Sequence, residues 1–420
     1  MITVLIFLRN FRLNDNKTLQ RAAAYGDPIL PVLVQHTSRE QRHWYGWPAT
    51  GPFRQAFTHE CIADIERQLF ELGLHPWRGQ GDLLSLVQTV HQLFSGIRVI
   101  CPHVLGEYEG AERAELIQYC QKHQIECDVV WDWTLIDPPA LNSLPLSFTA
   151  FRKKVERGLR ISSPLPAPDS LQGIAHELPS MSYSIDFDAI EGRAFHGGES
   201  IALSHLNDYI WATKSVRHYK QTRNKLMGKH VSSKVSAYLS SGCLSPRQVA
   251  HQVKQFESKY GKNDSTYWLI FELLWRDFFQ FQYLAHAKHW FSFGGIQQKQ
   301  TQAPDYDAVR CDAWVNGKTP NNFINAAMNE LRQTGHMSNR GRQNAASYLI
   351  HDLGQDWRFG AAVFEHYLID YDVASNIGNW MYIAGVGNSR QVRAFNVVSQ
   401  QERYDKNLEY TNYWTQPRLF

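Results

Sequence analysis

The chain has 420 residues, of which 43% are apolar, so it is long enough for two or three domains with sizeable cores. Its 43 lysines and arginines nearly balance its 40 aspartates and glutamates, which excludes a partner selected by overall charge, so any anion-binding surface must be local. The six cysteines include no C-x-x-C pair, which argues against a disulfide framework, a zinc ribbon or an iron–sulfur cluster, and no metal site is predicted.

The N-terminus carries only a short apolar run before its first charges, too short for the core of a signal peptide. No later stretch approaches the length of a membrane span. Scattered free thiols are typical of a reducing compartment. We therefore expect a cytoplasmic protein with no membrane partner.

Residues 1–132 alternate short apolar runs with longer amphipathic stretches, which is the pattern of βαβ units. The predicted strands are 3–7, 29–34, 74–77, 99–101 and 126–130, and the predicted helices are 17–25, 53–72, 83–94 and 110–123. This alternation indicates an α/β domain built on a doubly wound parallel sheet with helices on both faces. No G-x-G-x-x-G follows the first strand, so nothing in this region indicates dinucleotide binding.

Residues 133–197 change character, with seven prolines and many serines, and only 148–158 have a helical pattern. We interpret this segment as a long inter-domain linker. In residues 198–420 the apolar residues recur at spacings of three and four as far as about residue 388, and no alternating strand pattern appears. The second domain is therefore predicted to be all-helical.

The most informative charge pattern lies between Tyr209 and Phe256, where nine lysines and arginines occur without a single aspartate or glutamate. Within it, the stretch HVSSKVSAYLSSGCLSPR places Ser232, Ser233 and Ser236 where hydroxyl and N–H groups could meet a phosphate at the start of a helix. A capped helix on a solvated basic face explains the same pattern equally well.

A second stretch, FELLWRDFFQF, spaces Glu272 three residues before Trp275 and four before Arg276. In a helix these side chains share one face, so a hydrogen-bond acceptor lies beside an aromatic ring. Such a pair suits a nucleobase. The alternative is an exposed glutamate and arginine on either side of a buried tryptophan.

A third region places polar residues inside otherwise apolar helical patterns, at Asn339, Arg342, Asp370, Asp372 and Asn376. Buried polar groups need partners, so these residues are predicted to surround a polar ring edge or to pair with one another. An ion pair of Arg342 with either Asp370 or Asp372 is expected in both cases.

Five motifs, taken in this order along the chain, resemble those of the photolyase and cryptochrome flavoprotein family. They are RNFRLNDN (9–16), FHGGE (195–199), YKQTRN (219–224) with SSKVSAYLSSGCLSPR (232–247), ELLWRDFF (272–279), and MSNRGRQNAASYL (337–349) with DYDVASNIGNWMYIAGVGN (370–388). The form MSNRGRQNAAS, and a tyrosine two residues after Trp380, are most similar to DASH-type cryptochromes. The resemblance implies an N-terminal antenna-type α/β domain and a C-terminal helical domain that binds FAD.

The resemblance also assigns roles to individual residues. The residues that it implies at FAD are Tyr219, Ser232, Ser233, Lys234, Val235, Ser236, Arg342, Asp370, Tyr371, Asp372 and Asn376. Those implied at DNA and the lesion are Arg223, Glu272, Trp275, Asn339, Arg340 and Tyr382. Asn376, Glu272, Trp380 and Trp357 are implied as catalytic, with Asn376 facing the flavin N5 and the two tryptophans at the inner and middle positions of a re-reducing chain.

The activity implied by the resemblance is light-dependent repair of DNA, in which an electron from photoexcited FADH⁻ splits a cyclobutane pyrimidine dimer. The dimer must leave the base stack, and single strands are the easier substrate because they have less stacking to lose. Two alternatives stay open: a blue-light photoreceptor with FAD and little or no repair, and a flavin electron carrier. A monomer is expected.

The sequence also departs from the family pattern. Pro304 stands where an outer tryptophan is expected, so Tyr306 is a candidate substitute. Glu112 resembles a folate-contacting glutamate but lacks the polar residue that commonly precedes it, which leaves a folate (methenyltetrahydrofolate) antenna open.

Overall fold

The computed structural model describes residues 1–35, 43–174, 178, 193, 195–299, 302–389 and 391–416. Much of the second half of the predicted linker, namely residues 175–177, 179–192 and 194, lies outside the described residues.

The strands of the N-terminal domain are β1 Ile2–Phe7, β2 Ile29–Gln35, β3 His43–Trp44, β4 Trp47–Pro48, β5 Trp77–Gln80, β6 Ile97–Pro102 and β7 Glu126–Val130. Five of them form a parallel sheet in the order β5-β2-β1-β6-β7, and β3 and β4 form a separate antiparallel pair. The helices between them are α1 Lys17–Tyr25, α2 Pro52–Glu71, α3 Leu83–Leu93 and α4 Glu107–Lys122.

Both faces of this sheet are buried. Along β1, Leu5 and Phe7 join the core that continues into the helical domain, whereas Val4 and Ile6 join a second core on the opposite face. Because successive side chains of a strand point to opposite faces, a continuous apolar run is what a strand covered on both sides requires. The structure confirms the predicted doubly wound sheet.

The edge strand β5 differs from its prediction at 74–77. Leu74 is fully buried but lies before the strand, and pairing with β2 runs from Val32 with Trp77 to Gln35 with Gln80. Pro76 has no N–H to donate to a ladder, so regular pairing begins only after it.

After β7, the described residues form helices and connecting segments. The helices are α5 Phe148–Glu156, α6 Glu199–Asn207, α7 Tyr219–Thr222, α8 Ser236–Ser241, α9 Pro246–Tyr260, α10 Asp264–His286, α11 Ala308–Val315, α12 Asn322–Thr334, α13 Asn339–Ser347, α14 Trp357–Tyr367, α15 Val373–Ala384, α16 Val397–Tyr404 and α17 Glu409–Thr415. Short π-helical turns extend α6 and α13. Beyond residue 197 the described residues form no strand, which confirms the predicted helical domain. None of the helices within the described ranges is both long and apolar enough to span a bilayer.

Four buried charges join the two domains. Arg12 of the RNFRLNDN motif pairs with Asp132, and Arg247 at the start of α9 contacts both Asp132 Oδ1, at 2.6 Å, and Asp15 Oδ2, at 2.9 Å. All four side chains are at most 6% exposed. Each charge therefore has an opposite charge within hydrogen-bonding distance, the condition under which buried ions are tolerated.

The FHGGE motif contributes to the same junction. Glu199 accepts hydrogen bonds from the backbone N–H of Leu13, at 2.7 Å, and of Asn14, at 3.1 Å. Residues from three of the five family-like motifs thus meet at this junction, and Phe195 of FHGGE also lines the cavity described next.

Candidate functional site

A cavity of about 880 Å³ opens in the helical domain. The predicted site residues that line it are Tyr219, Arg223, Ser232, Ser233, Lys234, Val235, Ser236, Glu272, Trp275, Asn339, Arg342, Asp370, Asp372 and Tyr382. A smaller cavity of about 100 Å³ shares Asn339, Arg342, Asp370 and Asp372 with it and adds Tyr371, Asn376 and Trp380. The structure therefore brings residues from distant parts of the chain to two neighbouring cavities that share part of their lining.

The helix α10 supplies one wall of the cavity. Its first turn is fixed by Asn263, whose side chain accepts hydrogen bonds from the backbone N–H of Ser265 and Thr266. Helix α15 packs closely against α10. At the contact, α15 has Gly378, where a Cβ would collide with the ring of Phe279 of α10. This close packing places the helix that carries Glu272 and Trp275 beside the helix that carries Asn376, Trp380 and Tyr382.

The serine-rich stretch forms the cationic end. Lys234 has a left-handed backbone with φ of 49°, after which the chain enters α8. The preceding carbonyl, of Ser233, accepts a hydrogen bond from His205 Nε2 at 2.8 Å. Burial lowers the pKa of Lys234, and the Glu330 carboxylate acts in the opposite direction. N–H groups in the first turn of a helix have no intrahelical partners, so this end suits an anion.

Arg342 and Asp370 pair at the junction of the two cavities. The distance from Arg342 Nη2 to Asp370 Oδ2 is 2.9 Å, and Arg342 Nε donates to the Met337 carbonyl at 2.9 Å. Burial by itself would raise the pKa of Asp370, but Arg342, followed by His336 and Ser236, acts in the opposite direction, and the pKa is lowered. The other oxygen, Oδ1, is buried with no hydrogen-bond partner among the described residues.

Asp372 does not share in that pair. Its Oδ1 accepts from the backbone N–H of Ser375 at 2.7 Å, which caps α15, and its Oδ2 accepts from Gln280 at 2.6 Å. The sequence left open whether Arg342 pairs with Asp370 or with Asp372, and in the structure it pairs with Asp370. Asn376, one turn into α15, donates from its amide nitrogen to the Ala361 carbonyl at 3.0 Å, which fixes the orientation of its amide.

Glu272 lies on α10 and lines the cavity. Its Oε1 atom accepts hydrogen bonds from Arg223 at 2.6 Å and from the indole N–H of Trp268 at 3.1 Å. Burial raises the pKa of Glu272, while the charge of Arg223 and the Trp268 hydrogen bond act to lower it. The result is a carboxylate held at the wall of a partly closed space.

Beside Glu272, Trp275 is backed by a ring from the inter-domain segment. Phe148 of α5 stacks on it with centroids 3.7 Å apart and planes at 15°. Tyr382 of α15 meets Trp275 edge-on at 6.3 Å. An acceptor next to aromatic surfaces is an arrangement able to bind a base by stacking and by its hydrogen-bonding edge.

Two predicted residues lie elsewhere. Arg340 does not line either cavity; it donates to Asn224 at 3.1 Å, and its guanidinium lies over the Tyr404 ring. Trp357 is buried, with its indole N–H donating to the Phe293 carbonyl at 3.0 Å. The roles assigned to both stay predictions.

The aromatic surroundings of Trp380 extend toward the surface. Its ring lies 6.3 Å from that of Trp314, which in turn lies 6.4 Å from Phe359. Tyr306, 5.7 Å from Phe359, is 62% exposed. The candidate substitute for the outer tryptophan is therefore at the protein surface.

Many cations of the basic stretch 209–256 are paired with carboxylates that lie outside the stretch. Five of them form such ion pairs: Lys220 with Asp264, Arg223 with Glu272, Lys229 with Asp208, Arg247 with Asp15 and Asp132, and Lys254 with Glu257. Lys225 and Lys234 line the cavity. A count of charges along the sequence cannot reveal pairs formed across the fold.

Several lining residues were not predicted. Gln343 lines both cavities and has a buried Oε1 without a hydrogen-bond partner among the described residues. Trp268, Glu330 and His336 also line the larger cavity. Trp268 could have been predicted, because it lies four residues before Glu272 and the two side chains therefore share one helical face.

The residues present fit an FAD molecule. The cavity volume is near the upper end of the range of about 300 to 1,000 Å³ for small-molecule and cofactor sites. One end offers hydroxyls and Lys234, and the middle offers an orphaned carboxylate oxygen of Asp370 that requires a donor.

Comparison with known proteins agrees with this site. A family model described as the FAD binding domain of DNA photolyase matches residues 268–418, and one described as DNA photolyase matches residues 3–169. A Cryptochrome DASH of Natronomonas pharaonis is 38% identical, covering 99% of this chain and 90% of the relative. That of Gloeobacter violaceus is 38% identical, covering 98% and 85%.

Among solved structures, the cryptochrome of Synechocystis sp. has a TM-score of 0.92 and 36% identity, covering 99% of this chain and 88% of that one. A parallel-sheet domain and a helical domain with a flavin-sized cavity define a two-domain flavoprotein fold. The chain belongs to the photolyase and cryptochrome family, and it is similar to members named DASH.

Proposed function

We propose that the protein is a light-dependent DNA repair lyase that splits cyclobutane pyrimidine dimers. The observation that carries this proposal is the sharing of one cavity by the residues expected at FAD and by the Glu272 and Trp275 pair. A site for signalling alone has no need of an acceptor and an aromatic wall beside the cofactor.

When bound, FAD supplies the light-absorbing electron donor. The segment 232–236 holds its phosphates, and Arg342, Asp370, Tyr371 and Asp372 hold its ring and linker. Asn376, with its amide nitrogen engaged by Ala361, presents its amide oxygen from a fixed position.

The substrate reaches this space only if the dimer leaves the base stack. Glu272 then accepts a hydrogen bond from a base edge, Trp275 and Tyr382 pack against the ring faces, and Arg223 opposes the rise in the Glu272 pKa that burial causes. Unstacking a few bases costs a few kcal/mol, and it costs least in single strands, so single-stranded DNA is the favoured substrate.

A photoreceptor function is the second candidate. The supporting observation is that the relatives carry the name cryptochrome. Illumination of reduced protein with dimer-containing single- and double-stranded oligonucleotides, followed by measurement of restored thymines, separates the two. Repair of either substrate supports the lyase, and bound FAD without repair of either supports the photoreceptor.

Glu272→Ala is expected to lower repair about 10- to 100-fold, since one hydrogen bond to a charged group contributes about 1.5 to 3 kcal/mol. FAD content should not change. Glu156→Ala is the matched control, because Glu156 is 29% exposed against 27% for Glu272 and accepts from Tyr267 at 2.5 Å, yet does not line the cavity. Loss of the flavin in the Glu272 variant would contradict a role at the lesion.

Lys225 lies exposed at the cavity and is proposed to contact the DNA backbone. Lys225→Gln is expected to reduce the slope of log affinity against log salt by about 1. Lys254→Gln, which removes an exposed cation paired with Glu257, should leave the slope unchanged. Equal slopes for all three proteins would show that Lys225 does not face DNA.

Other predictions remain open to test. Glu112 is buried on α4, and a folate antenna beside it stays a prediction. The monomeric state and the cytoplasmic location likewise stay predictions.

A further inference from the structure

Glu272 receives both of its hydrogen bonds on one oxygen. Arg223 Nη1 and Trp268 Nε1 lie 2.6 Å and 3.1 Å from Oε1. In the part of the chain that the structure describes, no donor contacts Oε2. The side chain is 27% exposed and lines the cavity. One oxygen is thus occupied by the protein, and the other is available to a ligand.

The ring of Trp268 is itself held in place. Lys220 Nζ lies 4.8 Å from its centroid, the Arg223 guanidinium lies 5.5 Å from it, and the Phe271 ring lies 4.6 Å away. Cations over the face of an indole are attracted to it, and a packed neighbour restricts its rotation. The direction of the indole N–H is therefore fixed before any ligand arrives.

We propose that Trp268 is a positioning residue for lesion recognition: with Arg223 it occupies Oε1 of Glu272 and so presents Oε2 to the donor edge of an extruded base. The inference rests on the proposed function. An arginine and a carboxylate tend to pair through both oxygens. The N–H of Trp268, by engaging Oε1, opposes that arrangement and keeps Oε2 from turning toward Arg223.

Arg223 is the charged group in direct contact with Glu272, and the neutral phenol of Tyr219 lies close enough to interact with the carboxylate. Lys220 pairs with Asp264 and lies over the Trp268 ring, and Arg340 lies near Arg223. Burial raises the pKa of Glu272, and Arg223 and Trp268 oppose that rise. Removal of the indole N–H raises the pKa further, so at a given pH less of the carboxylate is ionised.

The test is Trp268→Phe, which keeps an aromatic ring but removes the N–H. Trp211→Phe is the matched control, since Trp211 is also half-buried and donates to Gln252 at 2.7 Å outside the cavity. In the dark, the affinity of Trp268→Phe for a dimer-containing oligonucleotide should fall about tenfold, the effect of one hydrogen bond to a charged group. The acid limb of the binding curve should move to higher pH, with FAD content and affinity for undamaged DNA unchanged.

A second readout does not depend on repair or on lesion binding. The carbonyl stretch of protonated Glu272, assigned by its loss in Glu272→Gln, can be titrated by infrared spectroscopy. A rise in the pKa of Glu272 in Trp268→Phe but not in Trp211→Phe supports the positioning role, even if wild-type protein shows no preference for dimers and the proposed function fails. If Trp268→Phe binds the dimer-containing oligonucleotide as tightly as the wild type does and the pKa of its Glu272 is unchanged, the positioning role of Trp268 is contradicted. The proposed function would not be affected by that result.

Discussion

Asp370→Ala is expected to yield a folded protein that no longer retains FAD. Asp370 is 8% exposed and is the partner of Arg342, and its Oδ1 has no other partner among the described residues. Removing one member of a buried ion pair costs about 3 to 5 kcal/mol, because the remaining charge is left unpaired. If that cost falls on cofactor binding, the affinity drops about 100- to 1,000-fold or more. The measurement is the ratio of flavin absorbance to protein after desalting, followed by titration with added FAD.

Asp405→Ala is the control for this experiment. Asp405 is similarly buried at 6% exposure and accepts hydrogen bonds from the backbone of Tyr410 and Thr411, at 2.9 Å each, but it does not line the cavity. This substitution should lower the melting temperature and leave the flavin bound. Stoichiometric FAD in Asp370→Ala would place the isoalloxazine elsewhere.

Arg247→Met is expected to destabilise the junction between the domains by about 3 to 5 kcal/mol, because it leaves Asp15 and Asp132 with too few buried cations. Thermal unfolding should show a large fall in the melting temperature. Arg21→Met, which breaks the pair of Arg21 with Asp128, is the contrast: Arg21 is 56% exposed, and such surface pairs contribute at most about 1 kcal/mol. Equal effects of the two substitutions would mean that the buried group does not hold the domains together.

The α/β domain could be predicted because its central strands are buried on both faces and therefore appear as unbroken apolar runs. Val4 to Phe7 are all at most 1% exposed, and β1 was predicted within one residue. The strand near Leu74 was misplaced because one buried leucine before a proline has the same sequence signal as a strand residue. Hydrophobicity reports burial, and it does not report which backbone groups pair.

The site could be predicted in part. The spacing of Glu272 and Trp275 on a helix was readable, whereas the ring of Phe148 behind Trp275 comes from more than a hundred residues earlier and was not. The ion pairs of Arg247 with Asp15 and Asp132 could not be predicted either, because the sequence shows only that Arg247 lies in a stretch without acidic residues. Local periodicity predicts which residues share a face, and only the fold shows what they meet.

The cavity is proposed to hold a flavin and an extruded dimer at the same time. The most direct test is a crystal structure of the FAD-loaded protein with a dimer-containing oligonucleotide. We predict that the flavin ring will lie beside Asn376 and Asp370, with the dimer against Trp275 and within hydrogen-bonding distance of Glu272. A dimer left outside the cavity, still stacked in the DNA, while FAD occupies the site would contradict the account.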